Sequence, residues 1–262
     1  DKIGKGFQAA RSRDVNLVSN ILIDGCIENA KSVTRGGTQK YIAVGLLIGI
    51  ANVIDSLSVT NQIVFNEKRV TMAQLANALE NNWNGYEELR AYILKNGKFF
   101  GNDEQSSNDI AHRFFKSLDK HNTADNYLNK KLIFGNLVGY NEHHKFFGNN
   151  TKATPDGRLN GEMLTFGIGQ INGKDRGGLA ALLNSVAACD PYCILTGPSV
   201  TNILLDDQLV KNDENFKKLV YLLETYFKLG GTHFQLTYVS KQDLINAKKD
   251  PDKYKSLRVR VS

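Results

Sequence analysis

The stretch Tyr254-Lys255-Ser256-Leu257-Arg258-Val259-Arg260-Val261-Ser262 closes the sequence. Leu257, Val259 and Val261 alternate with Arg258, Arg260 and Ser262, the period of a strand with one face buried. No turn residue or polar tail ends the pattern, so the strand is expected to continue past Ser262 and the chain to be a fragment. Just upstream, Ser240 is placed to cap a helix over Lys241 to Lys249, with Gln242 and Asp243 in its first turn. Before it, Thr232 to Val239 reads as a strand, and Asn215 to Lys228 as a helix closed by Gly230-Gly231.

The same alternation of helix and strand extends toward the N-terminus. Leu179 to Ala188 is expected to be a helix and Ile203-Leu204-Leu205 a short strand. From 129 to 175, Gly135, Gly139, Gly148, Gly157, Gly161, Gly167, Gly169 and Gly173 punctuate short extended pieces. Further helices are expected over Asp14 to Glu28, ending near Gly25, over Ala51 to Phe65 with Val53, Leu57, Ile63 and Val64 inward, after Gly85, and over Asp109 to Leu118. Thr71-Met72-Ala73-Gln74 is a capping box, in which threonine accepts from a first-turn amide and glutamine reaches back, opening a helix to about Trp83. The fold class is α/β.

With 262 residues and 41% hydrophobic content the chain can bury a real core. The apolar run Tyr41 to Ile54 is broken by Gly45, Gly49 and Asn52 and falls short of the about 20 residues a membrane span needs. It suits a buried helix or a strand–helix junction, and no membrane role is expected. The three cysteines Cys26, Cys189 and Cys193 suit reduced thiols and a cytoplasmic location, and no metal site is expected. A net charge of +6 raises the question of nucleic acid. Lys241, Lys248, Lys249, Lys253 and Lys255 are interleaved with Asp243, Asp250 and Asp252, which describes a solvated face, and no nucleic-acid motif accompanies it.

Five words occur in a definite order: Gly25-Cys26-Ile27-Glu28 with Gly36-Gly37 and Tyr41; Gly49-Ile50-Ala51-Asn52-Val53-Ile54-Asp55-Ser56-Leu57; Gly101-Asn102-Asp103; Ala153-Thr154-Pro155-Asp156-Gly157-Arg158; and the tail with Gly230-Gly231-Thr232-His233-Phe234-Gln235 before it. Together they resemble the glycyl radical enzymes, the family of pyruvate formate-lyase and of the radical diol, choline and hydroxyproline lyases. The resemblance implies the C-terminal half of a ten-stranded β/α barrel with helices packed outside. Residues 1–145 would end the barrel domain, and 146–262 would form the glycine radical domain, stopping one position short of the radical glycine. Glycine suits a planar, unpaired-electron centre because it has no Cβ. The end at Ser262 is open to three readings: cleavage by oxygen at the radical glycine, a shortened chain, or a tail beyond the sequence.

The function the resemblance implies is radical C–C or C–X bond cleavage of a small organic substrate by a glycyl-to-thiyl relay. A separate S-adenosylmethionine and iron–sulfur activase would install the radical, no cofactor would be bound by the chain, and the full-length protein would be a homodimer. Ile42, Gly169-Gln170, Gly178-Leu179 and Thr237 depart from the family pattern, which favours a lyase or dehydratase branch over formate acetyltransfer. Cys26 with Glu28 resembles the thiyl loop, but its position against the neighbouring words favours a plain buried cysteine, so both radical carriers are expected to be missing from this chain and the chain alone to be inactive. Substrate contacts are expected at Tyr140, His143, Ser199, Thr201 and Asn202, while Asp156 and Arg158 are expected to fix their own turn. The competing reading is an inert homologue or fragment serving as a structural or interaction module.

Overall fold

The computed structural model describes residues 17–119, 124–127, 130–138, 143–171, 173–189, 199–206 and 208–254. The tail strand, Tyr140 and Cys193 lie outside the described residues. The chain divides into two compact units, one from residues 1–45 and 120–135, the other from 46–119 and 136–262.

The first unit holds helix α1 (Leu17–Ile21), a 3-10 turn (Val33–Arg35), strand β2 (Ala124–Tyr127) and all but the last residues of β1 (Lys40–Leu46) and β3 (Lys130–Leu137), in the order β1-β3-β2. Strands β2 and β3 are antiparallel, with Ala124 opposite Ile133 and Tyr127 opposite Lys130. Of the helix expected over 14–28, the described residues form helix only over Leu17–Ile21. It stops because Gly25 takes φ 91° and the Asn29 amide donates to the carbonyls of Gly25 and Gly37 at 2.7 and 2.9 Å, folding the chain back on itself. Leu17 and Leu22 remain 73% and 77% exposed, so the apolar stripe read there faces no described partner.

The second unit contains helices α2 (Ile50–Thr60), α3 (Met72–Glu80), α4 (Glu87–Asn96), α5 (Gln105–Asp119), α6 (His143–Asn149), α7 (Gly178–Ala188), α8 (Gln208–Lys211), α9 (Asp213–Lys228) and α10 (Lys241–Lys249). Its strands β4 (Asn202–Leu205) and β5 (Gln235–Tyr238) pair in parallel, Asn202 opposite Gln235. A right-handed crossover through a helix such as α9 is the ordinary way to join two parallel strands. One core gathers Ile54, Phe100, Phe115, Ile168, Leu183, Val186, Ile203 and Tyr226 between α2, α5, α7, α9 and the strands. A second packs Val59, Ile63, Leu75, Trp83, Ile93 and Phe99.

Local chemistry explains the starts of three helices. Thr71 and Gln74 form the expected capping box, Asn212 accepts from the amides of Glu214 and Asn215 to start α9, and Ser240 accepts from Asp243 to start α10. Each such cap contributes about 0.5–2 kcal/mol. Helix α2 differs from its expected form in two respects. It passes into a π-helix over Asn61–Asn66, held because Gln62 accepts from the Lys98 amide at 3.0 Å and donates to the Asn96 carbonyl at 3.2 Å. Val53 and Leu57 are exposed and the buried face carries Asn52, Asp55, Ser58 and Gln62. A count of apolar residues alone points the wrong stripe inward when polar side chains are buried with partners. Within the glycine-punctuated region 129–175, β3 is extended as expected, α6 replaces an extended piece, and no strand occurs among the described residues from 150 to 175.

Candidate functional site

Three of the five sequence words meet in one buried junction in the second unit. Asn52 and Asp55 lie on α2, the 99–103 turn follows α4, and Asp156 sits in the Pro155-Asp156-Gly157 turn. Asn52 donates its amide to Asp156 at 2.9 Å and accepts from the Thr165 amide at 2.7 Å. Asp55 accepts from the Phe100 amide at 2.7 Å. The ammonium of Lys174 closes the group, 3.0 Å from the Asp156 carboxylate, 2.7 Å from its carbonyl and 3.6 Å from Asp55. It also stands 4.3 Å from the centre of the Phe99 ring. All three charged side chains are buried.

Their electrostatics diverge although they share one cation. Burial pushes Asp156 up, but the Lys174 charge and the bonds from Thr154 and Asn52 outweigh it and hold the carboxyl below its ordinary value. Burial pushes Asp55 up to about 7, and Lys174 and the Phe100 amide offset only part of that rise. Arg158 donates to the carbonyls of Thr151 and Glu162 at 3.0 and 2.6 Å and bonds Lys152 as well, fixing the turn as expected. Trp83 caps the same turn, donating to the Arg158 carbonyl at 3.3 Å. Gln170, one of the departures noted in the sequence, is buried and donates to the Gly101 carbonyl.

From this junction the 165–177 loop leads to the strand expected to line a pocket. The Ile168 amide donates to the Val200 carbonyl at 3.0 Å, and the Val200 amide donates to Val138 at 2.7 Å. Gly167, at φ 73°, has no room for a side chain against the Val200 carbonyl. Ser199, Thr201 and Asn202 are all buried. Ser199 pairs its hydroxyl with Thr232 at 3.0 Å, and Gln235 donates its amide to the Thr201 carbonyl at 2.8 Å. Tyr226, buried beside them, donates to the His233 carbonyl at 3.1 Å. Burial raises its phenol, while the hydroxyls of Thr201 and Ser199 and the backbone of His233 and Thr232 pull the other way.

Asn202 is 4% exposed, and neither its amide nitrogen nor its amide oxygen has a hydrogen-bond partner among the described residues; His233 Nδ1 is buried in the same state. Leaving a buried amide without a bond is costly, so such a group calls for a partner. Sequence reasoning reached Ser199, Thr201 and Asn202 but passed over Tyr226 and the pairing of Thr232 with Ser199; the Gly-Gly-Thr-His word was the available signal. His143 stands at the exposed start of α6, its ring 6.2 Å from that of Phe147. Cys26 is buried beside Gly37, where an added methyl would come within 2.9 Å of its sulfur, and Glu28 is exposed.

Residues 9–137 match the model of the pyruvate formate lyase-like family, and residues 164–262 match the glycine radical model. The chain belongs to the glycyl radical enzyme family. It is 32% identical over 263 residues to the probable dehydratase YbiW of Escherichia coli K12, covering 94% of this chain and 31% of that one. To trans-4-hydroxy-L-proline dehydratase of Clostridioides difficile it is 29% identical, with 94% and 31% covered. The crystal structure of that dehydratase with trans-4-hydroxy-L-proline bound superposes with a TM-score of 0.83, at 29% identity over 91% of this chain and 30% of the other. The B12-independent glycerol dehydratase of Clostridium butyricum, in its glycerol-bound form, gives 0.81 at 31% identity, with 92% and 30% covered. This glycyl radical enzyme chain thus spans about a third of the length of the relatives it matches, and the relatives are lyases and dehydratases. Among its described residues no helix is long and apolar enough to cross a membrane.

Proposed function

We propose that the chain is the C-terminal part of a glycyl radical lyase or dehydratase that cleaves a C–C or C–X bond of a small organic substrate. Residues 1–145 supply the closing half of a ten-stranded β/α barrel and 146–262 the glycine radical domain. The observation that carries this reading is the segment Ser199–Asn202 leading into β4, whose buried Asn202 amide has no bond made among the described residues, in a chain whose relatives are dehydratases. A largely apolar pocket with a few converging polar groups is the usual form of a small-molecule site.

In this reading the glycyl radical, installed by a separate radical S-adenosylmethionine activase, supplies hydrogen-atom abstraction relayed through a cysteine thiyl. The residues of this chain bind and orient. Asn202 offers a donor and an acceptor to substrate hydroxyl or carbonyl oxygen, Thr201 and Ser199 line the same wall, and Tyr140 and His143 contribute from the segment before the Pro-Asp-Gly turn. Tyr226 and the Ser199–Thr232 pair fix the strand, so that Asn202 meets the substrate in one orientation. The dry interior protects a reactive centre from water. Cys26 with Glu28 remains a candidate thiyl loop only within this proposal. The protein acts as a cytoplasmic homodimer.

Anaerobic treatment of the protein at its native length with its activase should produce a glycine-centred electron paramagnetic resonance doublet, and diol or hydroxyproline-like substrates should then be consumed. A competent activase that yields no doublet removes the enzymatic reading and leaves an inert structural module.

A further inference from the structure

Asp55 and Asp156 face a single ammonium in a place closed to water. Two ionised carboxylates and one lysine would leave an uncompensated negative charge in the interior, which is far costlier than a bound proton. Arg158 also faces Asp156, but it spends its donors on the carbonyls of Thr151, Lys152 and Glu162 and on the Thr154 hydroxyl, and it is countered by Glu162; Arg90 donates to the neighbouring Gly157 carbonyl. Arg176, from the same loop as Lys174, stacks 5.4 Å from the Phe99 ring and bonds the carbonyls of Leu94 and Gly97. Asn52, the Thr154 hydroxyl and the Phe100 amide are further polar groups against the pair.

We propose that Asp55, Lys174 and Asp156 form a proton-controlled latch tying the 165–177 loop to α2, neutral and closed with one proton on Asp55 and loosened when that proton leaves. The unequal electrostatics of the two carboxyls name Asp55 as the carrier: it is the one burial drives up to about 7, whereas Asp156 stays ionised. The mechanical consequence follows from the loop's other end. Ile168 and Gly167 pack against Val200, so the latch governs how firmly the Ser199–Asn202 strand is backed.

The sign is fixed by linkage. Asp55 binds its proton more tightly in the folded chain than its ordinary value of 3.8 allows, so stability is greatest at low pH within the window and declines until the pH passes about 7. Asp156, shifted the other way, is already ionised there. The test is hydrogen–deuterium exchange of the 165–177 peptide in the protein at its native length, corrected for the intrinsic rate, at about pH 5.5 and about pH 8.5, with Asp55→Asn and Lys174→Met alongside.

Wild type should exchange this peptide at least about tenfold faster at the higher pH. Asp55→Asn, which keeps an oxygen for the Phe100 amide and carries no charge, should be flat. Lys174→Met, which strips the compensating cation, should move the transition to higher pH. A flat wild-type profile overturns the proposal, as does the same slope in Asp55→Asn. If Asp55→Asn fails to fold, an unshifted transition in Lys174→Met overturns it alone. Because the readout is backbone exchange, the result is independent of whether the radical chemistry proposed above is correct.

Discussion

Substituting Gly231 with alanine tests how the candidate strand is held. A methyl group on Gly231 would enter the ring of Tyr226, from which a side chain at this position is otherwise excluded. Tyr226 cannot yield easily, being 1% exposed on α9, in the larger core, and bonded to the His233 carbonyl at 3.1 Å. Overpacking of this kind costs about 1–3 kcal/mol, and displacing the phenol forfeits a hydrogen bond worth about 0.5–1.5 kcal/mol. The expected loss is about 2–4 kcal/mol, read as a drop of about 1 M or more in the urea midpoint with the slope unchanged. Tyr226→Leu should relieve the clash, so the double variant should be less destabilised than the two losses added, by at least about 1 kcal/mol. A Gly231→Ala midpoint indistinguishable from wild type, or strict additivity in the cycle, would refute the packing argument. The neighbouring Thr232 carries the bond to Ser199, so the same substitution should also speed amide exchange over 199–202.

Two further outcomes follow from buried polar groups. Asn202→Leu removes two unpaired amide atoms while keeping the volume, and should leave folding stability unchanged or raise it by about 1–3 kcal/mol; in the activated enzyme the same variant should lower kcat/KM, and a large loss of stability would show that Asn202 is bonded within the fold. Burial pushes the Cys189 thiol far above its ordinary range while it donates to the Ser185 carbonyl at 3.3 Å. Cys189 should therefore resist alkylation at about pH 8 in the native chain and react on unfolding; rapid native labelling at that residue by peptide mapping would contradict this.

Several features were legible from short stretches because their causes are short-range. The capping box at Thr71 and Gln74, the Ser240 cap, and the helices over 105–119 and 178–188 depend on neighbours within a turn or two. The family words were equally local and carried the family, while the alternation of helices and strands carried the α/β class. Val53 and Leu57 were misassigned for a reason equally physical. Periodicity counts apolar residues, whereas α2 and the π-helix after it bury Asn52, Asp55 and Gln62 because partners more than 30 residues away satisfy them.

The order of the words, the caps and the alternation of elements were thus set by the chain itself, since each depends on residues a few positions apart. What only the tertiary structure decided was the meeting of Asp55, Asp156 and Lys174, and the unpaired state of Asn202. Charge compensation and hydrogen-bond satisfaction are properties of groups brought within a few ångströms across the fold, and no spacing along the chain encodes them.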